Sequence, residues 1–143
     1  MTTQLPKKVL VVDDFEGVAT LVKEAIEDIN YSVRTACNAE DGLRAYLRFK
    51  PDIVITDIEM GEKSGIELVE DIRSIDPKIK VIFMSGYSDK LENRRQAESD
   101  VRSVAFLPKP FSLDDLYSHL DHFGNKACHG LERKAHHGVS ISQ

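Results

Sequence analysis

The sequence predicts an α/β fold, a doubly wound five-stranded parallel sheet with five helices. Three observations predict it. Short aliphatic runs alternate five times with amphipathic stretches along the 143 residues. The runs are almost continuously apolar, as strands covered on both faces must be. The connections are short, which brings consecutive units side by side. A chain that is 41% hydrophobic and 30% charged has enough apolar surface for one substantial core.

Lys8-Val9-Leu10-Val11-Val12 is the first strand, cut off by Asp13-Asp14. From Phe15 to about Ile29 the apolar positions Val18, Leu21, Val22, Ala25, Ile26 and Ile29 recur at helical spacing, and Asn30 stops the helix. Tyr31 to Ala36 is short and partly polar, which suits a sheet edge. Asn38 reads as an N-cap with Asp41 three residues on, opening a helix through Leu43, Tyr46 and Leu47. After Pro51, Ile53-Val54-Ile55-Thr56 forms a buried strand that ends on Asp57. Ser64 and Glu67 make a capping box for a helix that buries Leu68, Val69, Ile72 and Ile75 and stops at Asp76-Pro77.

Ile79 to Met84 is the fourth strand, followed by Ser85-Gly86. Ser88 to about Ser99 is helical in composition but has a thin apolar face, chiefly Leu91 and Ala97, and should be the most mobile helix. Val104 to Leu107 is the fifth strand, interrupted by Pro108-Lys109-Pro110. Ser112, with Asp115 three on, caps a last helix carrying Leu113, Leu116, Tyr117 and Leu120, and Gly124 ends it. Residues 1–123 thus form one domain, and residues 124–143 a short flexible tail with a weak helical turn around Leu131.

Charge and cysteine content exclude several classes. The net charge is −5, with +2 in the tail and −7 in residues 1–123, so no general nucleic-acid surface is present. Cys37 and Cys128 fit neither a disulfide framework nor a zinc spacing. The pairing of Cys128-His129 with His136-His137 has no fixed spacing on a predicted element and makes a poor metal site. No apolar run approaches membrane-spanning length, and the first six residues lack a signal-peptide core, so the expected compartment is the cytoplasm.

The polar residues at the strand ends carry the chemistry. All ends of a parallel sheet that follow the strands point the same way. If strand one lies between strands two and three, Asp13, Asp14, Asp57, Ser85 and Lys109 share one rim, the crevice where open α/β sheets bind ligands. Each has an ordinary reading by itself. Asp57 or Asp13-Asp14 would cap a helix, Ser85-Gly86 would be a turn, and Lys109-Pro110 a solvated loop. Together they crowd three carboxylates, which repel unless protons or a hard cation compensate, and Mg²⁺ suits a site of carboxylates and water. With Lys109 as a second positive charge and Ser85 as a hydroxyl donor, the set complements a phosphoryl group carried on a carboxylate.

These residues resemble the response-regulator receiver domain, the phosphoacceptor part of two-component signalling, over about residues 7–123. The resemblance implies a flavodoxin-like strand order, 2-1-3-4-5. It implies Asp13 and Asp14 as the metal-holding pair, Asp57 as phosphoacceptor, and the backbone carbonyl of Glu59 as a further Mg²⁺ ligand. Asp57 to Gly61 followed by Gly65 is similar to the family's Asp-x-x-Met-Pro-x-x-x-Gly loop. Ser85 matches the switch hydroxyl, Phe106 the switch aromatic, and Lys109-Pro110-Phe111 the Lys-Pro-Phe motif, whose Lys-Pro bond is typically cis. Three departures stand out: Gly61 in place of proline, which loosens the loop, Arg102-Ser103 in place of Gly-Ala, and Pro108 before Lys109.

The implied partners are a sensor histidine kinase or a histidine phosphotransfer protein upstream and a protein target downstream, with no direct nucleic acid and no membrane. The chain is then a monomer or a phosphorylation-dependent dimer, either stand-alone or part of a larger regulator or hybrid kinase. On activation Ser85 should swing toward the phosphoryl oxygen and Phe106 inward, reshaping a face with Arg94, Arg95 and Tyr117 exposed on it. Glu59 and Tyr87 would flank the attacking water of hydrolysis, Glu59 as an exposed group orienting it and Tyr87 covering the phosphoryl group, with a long-lived phosphorylated form as the outcome. Beyond self-phosphorylation and self-dephosphorylation no enzyme activity is expected. Two readings compete, a haloacid-dehalogenase-type phosphatase and a receiver-like binding module that is never phosphorylated. The adjacency of Asp13 and Asp14 and the lack of a cap insertion weigh against the first, the complete acidic set against the second.

Overall fold

Successive residues of a strand point to opposite sides, and the aliphatic runs of this chain are used on both. In the computed structural model, residues 7–86, 90–99, 105–121 and 140–141 are described. The order is β1 (Lys8–Val12), α1 (Glu16–Glu27), β2 (Ser32–Ala36), α2 (Ala39–Phe49), β3 (Ile53–Asp57), α3 (Gly65–Ile75), β4 (Lys80–Ser85), α4 (Leu91–Glu98), β5 (Ala105–Pro108), β6 (Phe111–Ser112), α5 (Leu113–Asp121) and β7 (Ser140–Ile141). The main sheet runs β2-β1-β3-β4-β5 with every pairing parallel. This is the doubly wound 2-1-3-4-5 order that the sequence implies.

Side-chain alternation divides the interior into two cores. Val9 and Val11 of β1, Ile53 and Ile55 of β3, and Ile82 and Met84 of β4 pack with α1 and α5. Leu10 and Val12, Val54, and Val81 and Phe83 point the other way, toward α2, α3 and α4. Local signals set the helix starts. Asn38 Oδ1 accepts from Asp41 N–H at 2.7 Å, and Ser64 and Glu67 form the reciprocal capping box. Ser112 and Asp115 exchange bonds in the same pattern at the start of α5. Asn30 adopts a positive φ of 72 just after α1, the left-handed stop that its side chain tolerates.

Several expectations are corrected. Neighbouring helix residues lie about 100° apart, so Leu21 beside Val22 and Leu47 beside Tyr46 turn away from the sheet and are exposed. Ile75, the last residue of α3, overhangs the core and is 55% exposed. Leu91 opens α4 at 60% exposure, leaving Ala97 as that helix's buried side chain. Tyr117 lies on the stripe with Leu113, Leu116 and Leu120, fully buried, so it is no member of an exposed face; its hydroxyl donates to Ala25 O at 3.3 Å. Pro108 belongs to β5 instead of interrupting it, which an edge strand permits. In the tail, Ser140 and Ile141 pair antiparallel with Ser112 and Phe111. The expected helical turn at Leu131, Gly124 and the Cys128/His129/His136/His137 group lie outside the described residues, as do Arg102-Ser103.

Candidate functional site

Strand register brings the polar residues to one rim. Val12 pairs with Thr56, so Asp13 and Asp57 leave the sheet at the same level. Asp57 pairs with Met84 and Ser85 with Pro108, so Ser85 and Lys109 follow in diagonal steps. The carboxylate oxygens that Asp13, Asp14 and Asp57 offer all lie within 4.8 Å of one another. Asp13 is fully buried, Asp57 is 6% exposed and Lys109 7%. The Lys109 ammonium sits 2.9 Å from Asp13 Oδ2 and 3.6 Å from Asp57 Oδ1.

Asp13 has two tasks. Its Oδ1 accepts from Phe15 N–H at 2.8 Å, at the start of α1, while Oδ2 holds Lys109. The helix-capping reading and the cluster reading are therefore both true of this residue. Asp14 is the exposed member, and its carboxyl is held above the ordinary carboxylate range by burial first and by the neighbouring Asp13 charge second. Hard oxygen donors this close, with one lysine among them, fit a hard divalent cation. Ser85 is buried, and its hydroxyl has no hydrogen-bond partner among the described residues. The main chain around it is fixed, since Lys109 N–H donates to Ser85 O at 2.6 Å. The Lys109–Pro110 peptide bond is cis, as the resemblance implies.

The loop after β3 depends on two glycines. Gly61 has φ +63, a conformation that a side chain disfavours. Gly65 donates to Ile58 O at 2.7 Å, and a Cβ added to it would stand 1.9 Å from the Asp57 carbonyl oxygen. The start of α3 thus lies directly on the backbone of Asp57. Sequence reading places Gly65 in a motif; the close approach itself is a property of the packed fold.

Glu59 differs from expectation. Its side chain is half-buried, not exposed, and one oxygen accepts from both Lys90 N–H at 3.0 Å and Asn93 Nδ2 at 2.6 Å. Those bonds hold its carboxyl below the ordinary range, the Lys90 contact most. The carboxylate is engaged with α4 instead of standing free to orient water. The helix begins at Leu91, later than its composition suggests, which is why the contact was not visible in sequence. Phe106 is half-buried against the core that contains α2, α3 and α4. Tyr87 lies outside the described residues. Arg95 is exposed on α4 as expected, whereas Arg94 is half-buried with its Nε out of solvent.

Comparison with known proteins follows this geometry. A profile of the response regulator receiver domain matches residues 9–121. The transcriptional regulatory protein GlrR of Escherichia coli is 34% identical over 116 residues, covering 81% of this chain and 26% of the regulator. The chain therefore spans about a quarter of that protein's length. The chemotaxis protein CheY of Thermotoga maritima is 33% identical over 106 residues, covering 73% of this chain and 87% of CheY. A crystal structure of a response regulator receiver domain protein from Clostridium thermocellum superposes with a TM-score of 0.75 at 30% identity, covering 85% of this chain and 96% of that one.

Proposed function

This chain belongs to the response regulator receiver domain family and serves as a phosphoacceptor in two-component signalling, and from that premise we propose that Asp57 is the residue phosphorylated. The observation that carries the assignment is the difference between the two buried carboxylates. Asp13 ends the first strand and its Oδ1 caps the start of α1 through Phe15 N–H, whereas Asp57 ends the central strand, with the Lys109 ammonium at 3.6 Å. The same contrast counts against a dehalogenase-type phosphatase, which would use the first strand's aspartate. Receiver domains are signalling modules and not enzymes acting on a separate substrate; here any chemistry is confined to gain and loss of the chain's own phosphoryl group.

In the proposed transfer, an Asp57 carboxylate oxygen forms the new bond to phosphorus. The bond to the donor histidine's nitrogen breaks, and its electron pair stays on that nitrogen. Asp13, Asp14 and Asp57, with the main-chain carbonyl of Glu59, would hold Mg²⁺. When bound, that ion offsets the charge of the carboxylates and of a phosphoryl oxygen. Lys109 neutralises another oxygen from its place beside Asp57. Ser85 brings a buried hydroxyl without a partner among the described residues, which gains a hydrogen bond when a phosphoryl oxygen arrives. Phe106, half-buried, then moves toward the space that Ser85 leaves.

The donor would be a sensor histidine kinase or a histidine phosphotransfer protein and the target a protein, both meeting the chain in the cytoplasm. Residues 1–123 would be the receiver unit, passing its state on as a monomer or as a dimer formed on phosphorylation. Incubation with a small phosphodonor and Mg²⁺, followed by mass-spectrometric mapping of the acyl phosphate, tests the assignment. Label is expected on Asp57 and absent from Asp57→Asn; persistent label in that variant overturns it.

A further inference from the structure

The fourth helix is poorly held by the usual means. Its one buried side chain is Ala97, and Lys90 at the N-cap makes no side-chain capping bond. Burying one alanine removes little apolar surface from water, so packing alone fixes α4 weakly. The N-terminal N–H groups of a helix also need acceptors. In an ordinary capping box a residue at N3 of the same helix accepts from the N-cap N–H. Here Lys90 is the N-cap and Asn93 stands at N3, and both donate to a carboxylate from a different segment, Glu59.

That carboxylate is charged, lies at the positive end of the helix dipole, and accepts two bonds on one oxygen. Glu59 is also two residues beyond Asp57 and directly follows Ile58, whose main chain is tied through both its N–H and its carbonyl. Ile58 N–H donates to Met84 O at 3.0 Å, and Gly65 N–H donates to Ile58 O at 2.7 Å. With Ile58 held, a displacement of Glu59 moves the side chain that grips α4.

We infer that Glu59 is a positioning residue that docks the start of α4 onto the loop after Asp57 and transmits changes at the carboxylate cluster to that helix. The coupling half rests on the phosphoacceptor reading; the docking half does not. In the resting protein Glu59 supplies an N-terminal acceptor that the described residues of α4 do not provide. When the cluster takes up its cation and phosphoryl group, the Glu59 main chain turns toward them and the Lys90–Asn93 turn follows.

The test uses the full chain and two readouts. The first is amide hydrogen exchange without metal. Glu59→Ala should speed exchange of the Lys90, Arg94 and Arg95 amides by about tenfold, the loss of a charge-assisted bond, while Glu59→Gln, which keeps an acceptor oxygen, restores most of the protection. Asn93→Ala should add little on top of Glu59→Ala, because both remove the same contact. Unchanged α4 exchange in Glu59→Ala, with the rest of the protein folded, overturns the docking. The second readout is the set of amide shifts induced by Mg²⁺ and beryllofluoride. Shifts around Asp57, Ser85 and Lys109 should survive in Glu59→Ala while those at Lys90–Arg94 fall by at least half. Full α4 shifts in that variant overturn the coupling. A wild-type protein with no shifts even at Asp57 would instead sink the phosphoacceptor reading and the coupling with it, leaving the exchange result to decide the docking.

Discussion

Replacing Gly65 by alanine isolates how closely the third helix leans on the strand that ends on Asp57. The added Cβ would meet the Asp57 carbonyl oxygen at 1.9 Å and its carbonyl carbon at 3.0 Å. Ordinary contact begins near 3.4 Å, so helix and strand end must separate by about 1.5 Å, and both obstacles are main chain, not a side chain that can swing away. Overpacking of this kind costs roughly 1–3 kcal/mol, and loss of the bond from Gly65 N–H to Ile58 O adds about 1 kcal/mol, so a loss of about 2–4 kcal/mol is expected in urea unfolding. Misplacement of a reacting group by about 1 Å can cost on the order of a hundredfold in rate. Phosphorylation of Gly65→Ala by a small phosphodonor should accordingly slow by at least tenfold. Gly61→Ala is the control, because its Cβ meets nothing within 4 Å and only the positive φ penalises it. That variant should lose about 1 kcal/mol and phosphorylate at nearly the normal rate. If the two variants behaved alike, or if Gly65→Ala lost less than about 0.5 kcal/mol, the close approach would not matter as argued.

Three further outcomes follow from the cluster. Lys109→Ala leaves the fully buried Asp13 without its cation and should destabilise the metal-free protein by about 3 kcal/mol, partly recovered at millimolar Mg²⁺ in thermal unfolding; equal loss with and without Mg²⁺ would count against the cation site. Ser85→Ala removes a buried hydroxyl that has no partner among the described residues, so the resting stability should change by less than about 0.5 kcal/mol, while the beryllofluoride-induced shifts at Phe106 disappear; a large resting destabilisation would refute the first half. The Asp14 carboxyl is held above its ordinary range, so it favours the fold at low pH, and that contribution is lost as pH rises through its folded value. Asp14→Asn should therefore flatten the fall of metal-free stability on raising pH from about 4 to 7 and weaken Mg²⁺ binding at neutral pH, both readable by calorimetry.

Sheet and site were legible for the same reason. β1, β3 and β4 are largely runs of β-branched or aliphatic residues met by a polar one, so Asp13, Asp57 and Ser85, with Lys109 after β5, mark both the strand boundaries and the rim. Asn38, Ser64 and Ser112 announced their helices because a cap needs only residues three apart. Contacts set by packing were not legible. Leu91 and Ile75 fit apolar stripes by type, but each is a helix-end residue, the first of α4 and the last of α3, and both are exposed. Tyr117 was assigned to an outer face although its spacing from Leu113 put it on the inner one, and its hydroxyl finds an acceptor inside, at Ala25. Glu59 suggested a solvent-facing acid because nothing local shows that Lys90 and Asn93, about thirty residues on, come within hydrogen-bond reach.

The alternation of side chains across the sheet has a consequence for how such a protein can diversify. Each face is a separate packing problem, and the two share only the strands' main chain. A change of volume among Val9, Ile55 and Met84 must be answered by α1 or α5, and one among Leu10, Val54 and Phe83 by α2 to α4. Compensating substitutions should therefore pair within a face, and lineages can redraw one surface for a new partner while inheriting the other intact. The rim is the exception. There Asp13 joins the start of α1 to Lys109 across the ends of four strands, so the residues least free to drift are those where the two halves stop being separate.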